Sequence, residues 1–60
     1  ISGQWHDLAT YLIGYSYAGL GDIERAAQYI EEASRLNPDH LGYMASLCWI
    51  YAEQIAHANR

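Results

Sequence analysis

Between Leu8 and Leu20, apolar residues recur at Leu12, Ile13, Tyr17 and Leu20, with Gly14 and Ala18 between them. Offsets of three and four place such residues on one stripe of an α-helix. A second stripe follows at Ala26, Ile30, Ala33 and Leu36. The residues between the two stripes are those of a tight turn. Gly19 and Gly21 end the first helix, because the position just past a helix often needs φ > 0, which glycine adopts without a Cβ clash. Asp22 suits the N-cap of the next helix, its carboxylate accepting from amides that have no intrahelical partner. Glu24 lies at the positive end of the helix dipole and Arg35 at the negative end. Asn37 offers a left-handed exit, and Pro38 cannot continue the helix. The pattern predicts two short antiparallel helices, the second over Ile23 to Leu36.

A third helix is expected from an N-cap at Asp39 to about Ala58. Leu41, Tyr43, Met44, Ala45, Leu47, Cys48, Trp49, Ile50, Tyr51, Ala52 and Ile55 leave it almost no polar face, although a helix on the surface of a soluble domain should show one. The apolar run falls short of the roughly 20 residues that cross a bilayer, and Glu53, Gln54 and His57 interrupt it. The expectation is a helix covered on two sides. One side packs on the second helix. The other meets the next helix of an array, a second copy of the chain, or a partner.

Gly14 in mid-helix costs roughly 1 kcal/mol relative to alanine. The compensating gain is expected from close approach of the second helix at Ala26, with Tyr17, Ile30 and Ala33 packed beside the contact. Glu31 and Arg35 form an i,i+4 pair in the favourable order, worth about 0.3–0.5 kcal/mol. The remaining charges of the second helix read as a solvated face. Ahead of the first stripe, Ser2 is a candidate cap for a helix starting near Gly3 or Gln4. Trp5, one turn before Leu8, either covers the end of the core or meets a preceding helix, and the first is the expectation.

Thr10-x2-Ile13-Gly14-x2-Tyr17, then Ala26-x3-Ile30, Ala33 and Pro38, resemble the tetratricopeptide repeat, whose pattern runs Trp-x2-Leu-Gly-x2-Tyr, Ala-x3-Phe, Pro. Counting back gives one repeat over residues 7–40, the family's length of about 34. Met44-x2-Leu47-Cys48-x2-Tyr51 falls in the same register, so a following repeat begins at Leu41. Thr10 and Ile30 depart from the family's aromatics. Ile55 stands where a turn glycine belongs, so the third helix is expected to run on. The resemblance implies an all-α fold of the α-solenoid type: an antiparallel helical hairpin plus a third helix, forming one unit over residues 1–60.

Sixty residues allow one small domain, and a core of this size rarely supplies more than about 3–5 kcal/mol. The formal net charge is −4, with Arg25, Arg35 and Arg60 as the cations and no lysine. Nucleic acid is disfavoured, since several cations must neutralise phosphates, and so is an anionic membrane surface. The single cysteine makes no internal disulfide, and no targeting segment is visible. A cytoplasmic location is the expectation. Because the chain begins at Ile1, it is expected to be a processed or excised piece of a longer one.

The resemblance also implies a concave face, lined by the first helix of each repeat, where peptide segments dock. By register, Leu8, Tyr11, Tyr15 and Ala18 line it from the first helix, and Ala45, Trp49 and Glu53 from the third. Three aromatics there suit an apolar or aromatic ligand, since Trp and Tyr are frequent anchors. The same aromatics would equally serve to cover core. Some family members clamp carboxylates on this face with Lys, Arg and Asn, but Tyr15 and Trp49 stand where the clamp asparagines would be, and that mode is rejected. His6, His40 and His57 are scattered without metal-ligand spacing. Cys48 matches the family's small, buried position opposite the second helix, where a thiol is inert. No cofactor and no catalytic residue is expected. Two functions stay open, with an enzyme or metal protein kept as a third for contrast. The chain is a module binding a partner protein, as in an adaptor, co-chaperone or secretion chaperone, or it is a self-assembly element that completes its array with further copies.

Overall fold

A computed structural model describes residues 2–59, with side chains from Trp5 onward. The cap expected from Ser2 lies outside the described side chains. The chain is all-α, with α1 over Ser2–Gly19, α2 over Ile23–Leu36 and α3 over Leu41–Ala58. The second helix packs against both of the others. As the sequence suggests, α3 runs on through Ile55.

Local chemistry fixes the first turn. Gly21 has φ +87°. The amide of Gly21 donates to the carbonyl of Ala18 at 3.0 Å, and that of Asp22 to the carbonyl of Tyr17 at 2.9 Å. These two reversed bonds form the Schellman closure, which satisfies carbonyls left open at a helix end. Gly19 is the last residue of α1 and needs no special conformation. The Asp22 carboxylate caps α2 as expected, accepting from the Arg25 amide at 3.2 Å.

At the second connection two expectations change. Asn37 leaves α2 with φ −141° and ψ 77°, an extended rather than left-handed exit. Its side-chain amide donates to Asp7 instead, at 3.1 Å. The cap of α3 is His40, not Asp39: Nδ1 of His40 accepts from the Tyr43 amide at 3.2 Å. His40 directly precedes the first helical residue and has extended backbone angles, which aim its ring at the orphan amides. Asp39 comes one residue too early. The His40 ring also stacks on Tyr43, with centroids 3.8 Å apart.

The core follows α2. Ile23, Ala26, Ala27 and Ile30 cluster with Ile50 of α3, and Tyr11, Tyr17, Ala18 and Leu47 pack around them. Gly14 is buried against this cluster. A Cβ there would lie 2.8 Å from Cγ1 of Ile30, 2.9 Å from Cβ of Tyr29 and 3.1 Å from the Ala26 carbonyl oxygen. The glycine is what lets the two backbones approach, as its sequence position implied.

Only part of the apolar stripe of α1 is buried: Gly14, Tyr17 and Ala18 face the core, and the large aliphatic residues do not. Leu12 and Ile13 are exposed, and Leu20 is 81% exposed. The helix turns small and aromatic residues toward α2, and no described helix covers the flank at Leu12, Ile13 and Leu20. Leu36, expected to extend the stripe of α2, is exposed at its end. Trp5 does not cover the core; it is 65% exposed. The expected Glu31–Arg35 pair is also replaced. Arg35 engages Glu32 with two guanidinium nitrogens, while Glu31 accepts from the Tyr51 hydroxyl of α3.

Candidate functional site

The α1 and α3 helices run parallel, and three contacts set their register. The Tyr43 hydroxyl donates to Oδ2 of Asp7 at 3.1 Å. One turn further on, the Tyr11 hydroxyl and Oγ of Ser46 share a hydrogen bond of 2.7 Å. Tyr11 also stacks on Tyr43 at 4.6 Å and on Tyr15 at 6.0 Å between centroids. The aromatic ladder works because the residues sit at i, i+4 on α1 and face the same side of α3.

Beyond the ladder, Tyr15, Ala45, Ser46 and Trp49 line an open depression of about 310 Å³. Three of the residues expected on the concave face, Tyr15, Ala45 and Trp49, thus meet in one place. Tyr11 stands beside them, held by its bonds to neighbouring side chains. Leu8 and Ala18 are half-buried on α1 outside the lining, and Ala18 packs on the core. Glu53 follows Trp49 by one helical turn, with its carboxylate 3.8 Å from Nε2 of His57.

Ser46, Tyr43 and Asp7 escaped the sequence reading of this face. Ser46 lies three residues before Trp49, a helical spacing that carried the signal. Asp7 and Tyr43 are joined only by the tertiary register. Their titration reflects the contact. Hydrogen bonds from the Asn37 amide and, more weakly, the Tyr43 phenol hold the Asp7 carboxyl below its ordinary value. Burial first, then the bond to Asp7, pushes the Tyr43 phenol up.

Further depressions occur among the described residues. One, of about 450 Å³, lies between the α1–α2 turn and the end of α3, at Asp22, Glu24, Gln54 and His57. Another, of about 320 Å³, lies on the open flank of α1 at Ile13, Ser16, Tyr17 and Leu20. Among the described residues, no group of three or more His, Cys, Asp or Glu side chains is placed to hold a metal ion. No described helix is long and apolar enough to cross a membrane. Cys48, expected to be buried, is exposed. It faces the flank of α3 that no described helix covers, so the small-residue position lacks the neighbour it would pack on.

The sequence model of the tetratricopeptide repeat matches residues 9–40, more than half of the chain. No curated protein matches the chain, and no solved structure does.

Proposed function

This chain belongs to the tetratricopeptide-repeat family, and from that premise we propose a protein-interaction module that seats a partner peptide or helix on the aromatic face between α1 and α3. The observation that carries the reading is the depression lined by Tyr15, Ala45, Ser46 and Trp49. Tyr15 and Trp49 are both exposed there. Rigid aromatic surface gives much contact area for little lost side-chain entropy, which is why such residues anchor interfaces. Leu8, Tyr11 and Glu53 extend the proposed contact along the same two helices. The module works by binding, without catalysis or cofactor.

The test is Trp49→Ala against peptides selected on the wild-type chain from a random library. Loss of a central aromatic anchor costs about 2 kcal/mol or more, so affinity falls at least tenfold while helicity is kept. Unchanged affinity would place the contact elsewhere.

A second reading is favoured by a different observation. Leu12, Ile13 and Leu20 on α1, and Met44, Tyr51 and Ile55 on α3, are all exposed. Repeats of this type gain stability from neighbours stacked on such flanks. In the self-assembly reading, further copies or repeats supply them. Mass by light scattering against concentration, with helicity on the same samples, separates the two. A helical monomer at low micromolar concentration favours the binding module, and helicity that rises with assembly favours the second.

A further inference from the structure

We infer that the depression between α1 and α3 takes an arginine side chain of the partner segment, stacked between Tyr15 and Trp49 and paired with Glu53. This rests on the binding-face reading above and names the partner chemistry.

The charge on this face is one-sided. The chain carries a formal net charge of −4. Neither α1 nor α3 contains a lysine or arginine. Arg25 and Arg35 belong to α2, and both are engaged: Arg25 lies 3.6 Å from Asp22, and Arg35 pairs with Glu32. The carboxylates contributed by α1 and α3 are Asp7 and Glu53. Asp7 is held by two neutral donors, Asn37 and Tyr43. The neighbour of Glu53 is an imidazole at 3.8 Å. Among the described residues, the face therefore presents negative charge without a guanidinium or ammonium to balance it.

The aromatics fit the same ligand. Cations are attracted to the faces of Trp and Tyr, Trp most strongly. Glu53 lies one turn from Trp49, within reach of a group stacked on the indole. A guanidinium is flat, stacks on rings, and keeps forked donors free for a carboxylate. A wholly apolar occupant would cover Ser46 and Glu53 without replacing their water, which is unfavourable. An acidic occupant would meet like charge. The chain already uses this chemistry internally, with the Arg25 guanidinium 5.7 Å from the centroid of the Tyr17 ring.

The experiment selects peptides from a random library on the full chain. The best binders are then resynthesised with each arginine replaced by citrulline, its neutral isostere, and affinities are measured by calorimetry on wild type and on Glu53→Gln. The inference expects arginine in the selected peptides and a loss of about tenfold or more on citrulline exchange, the size of effect seen when one partner of a close charge pair is removed. Glu53→Gln should weaken the arginine peptides severalfold, leave the citrulline peptides unchanged, and flatten the dependence on salt. Equal binding of the citrulline peptides, or indifference to Glu53→Gln at retained helicity, overturns the arginine inference and leaves the binding face standing. Failure of the library to yield any peptide sensitive to Trp49→Ala overturns the binding face itself.

Discussion

Tyr43 donates its hydroxyl to the carboxylate of Asp7 at 3.1 Å, across 36 positions of the chain. The Asn37 amide donates to the same oxygen. One carboxylate thus ties the start of α1 to the end of α2 and the start of α3. Asp7 has a lowered pKa in the folded chain, chiefly through the Asn37 bond. A group with a depressed folded pKa stabilises above its unfolded value, near pH 4, and loses that contribution as pH falls through the folded one. Asp7→Ala is therefore expected to be less stable than wild type at neutral pH. The gap should close on acidification below about pH 4. Urea unfolding of both chains across that range checks it, and a gap that does not vary with pH would refute the role.

Gly14→Leu should be less stable than wild type, by up to about 2 kcal/mol. Overpacking costs roughly 1–3 kcal/mol, and the neighbours of the missing Cβ include the Ala26 carbonyl oxygen at 3.1 Å, which belongs to backbone and yields little. The gain in helix propensity, up to about 1 kcal/mol, offsets only part of the larger clash. The urea midpoint of the variant reads this directly.

Gly19 and Gly21 should respond in opposite senses. Nothing lies within 4 Å of a Cβ at either position, so crowding plays no part. Gly21 has φ +87°, where a side chain costs about 1–2 kcal/mol. Gly19 is helical, and alanine there should stabilise by up to about 1 kcal/mol. Thermal unfolding of Gly19→Ala and Gly21→Ala is expected to move Tm up and down respectively.

Ile50→Ala and Ile13→Ala separate core from open flank. Ile50 is 0% exposed, and truncation there costs about 2–5 kcal/mol. That is comparable to the whole stability of a core this small, about 3–5 kcal/mol, so the variant should lose most of its helical signal by circular dichroism. Ile13 is exposed, and in a monomer its truncation should cost within about 0.5 kcal/mol. A larger loss that grows with protein concentration would show that a second copy covers this flank.

The sequence made α2 legible to the residue, because Asp22 and Pro38 act locally at its ends. Gly14 was legible for a similar reason, since an unfavourable residue in mid-helix implies a close neighbour. Burial along α1 was not. Leu12, Ile13 and Leu20 have the periodicity of a core stripe, but periodicity only says that residues share a face. Whether that face is covered depends on an element that the described residues do not include. The same limit applies to Cys48. The Glu31–Arg35 pairing failed because Tyr51, twenty positions away, competes for Glu31, and spacing on one helix carries no record of that. On the candidate face, Tyr15, Ala45 and Trp49 were reachable from the family register and Ser46 from its helical spacing to Trp49, whereas Asp7 and Tyr43 meet only through the tertiary register.

The exposed Cys48 gives the open flank of α3 a built-in reporter. It is the chain's single thiol, so an alkylating fluorophore attaches at one site without any mutation. Labelling speed then reads how often that flank is shielded, and the attached dye can follow the shielding in real time.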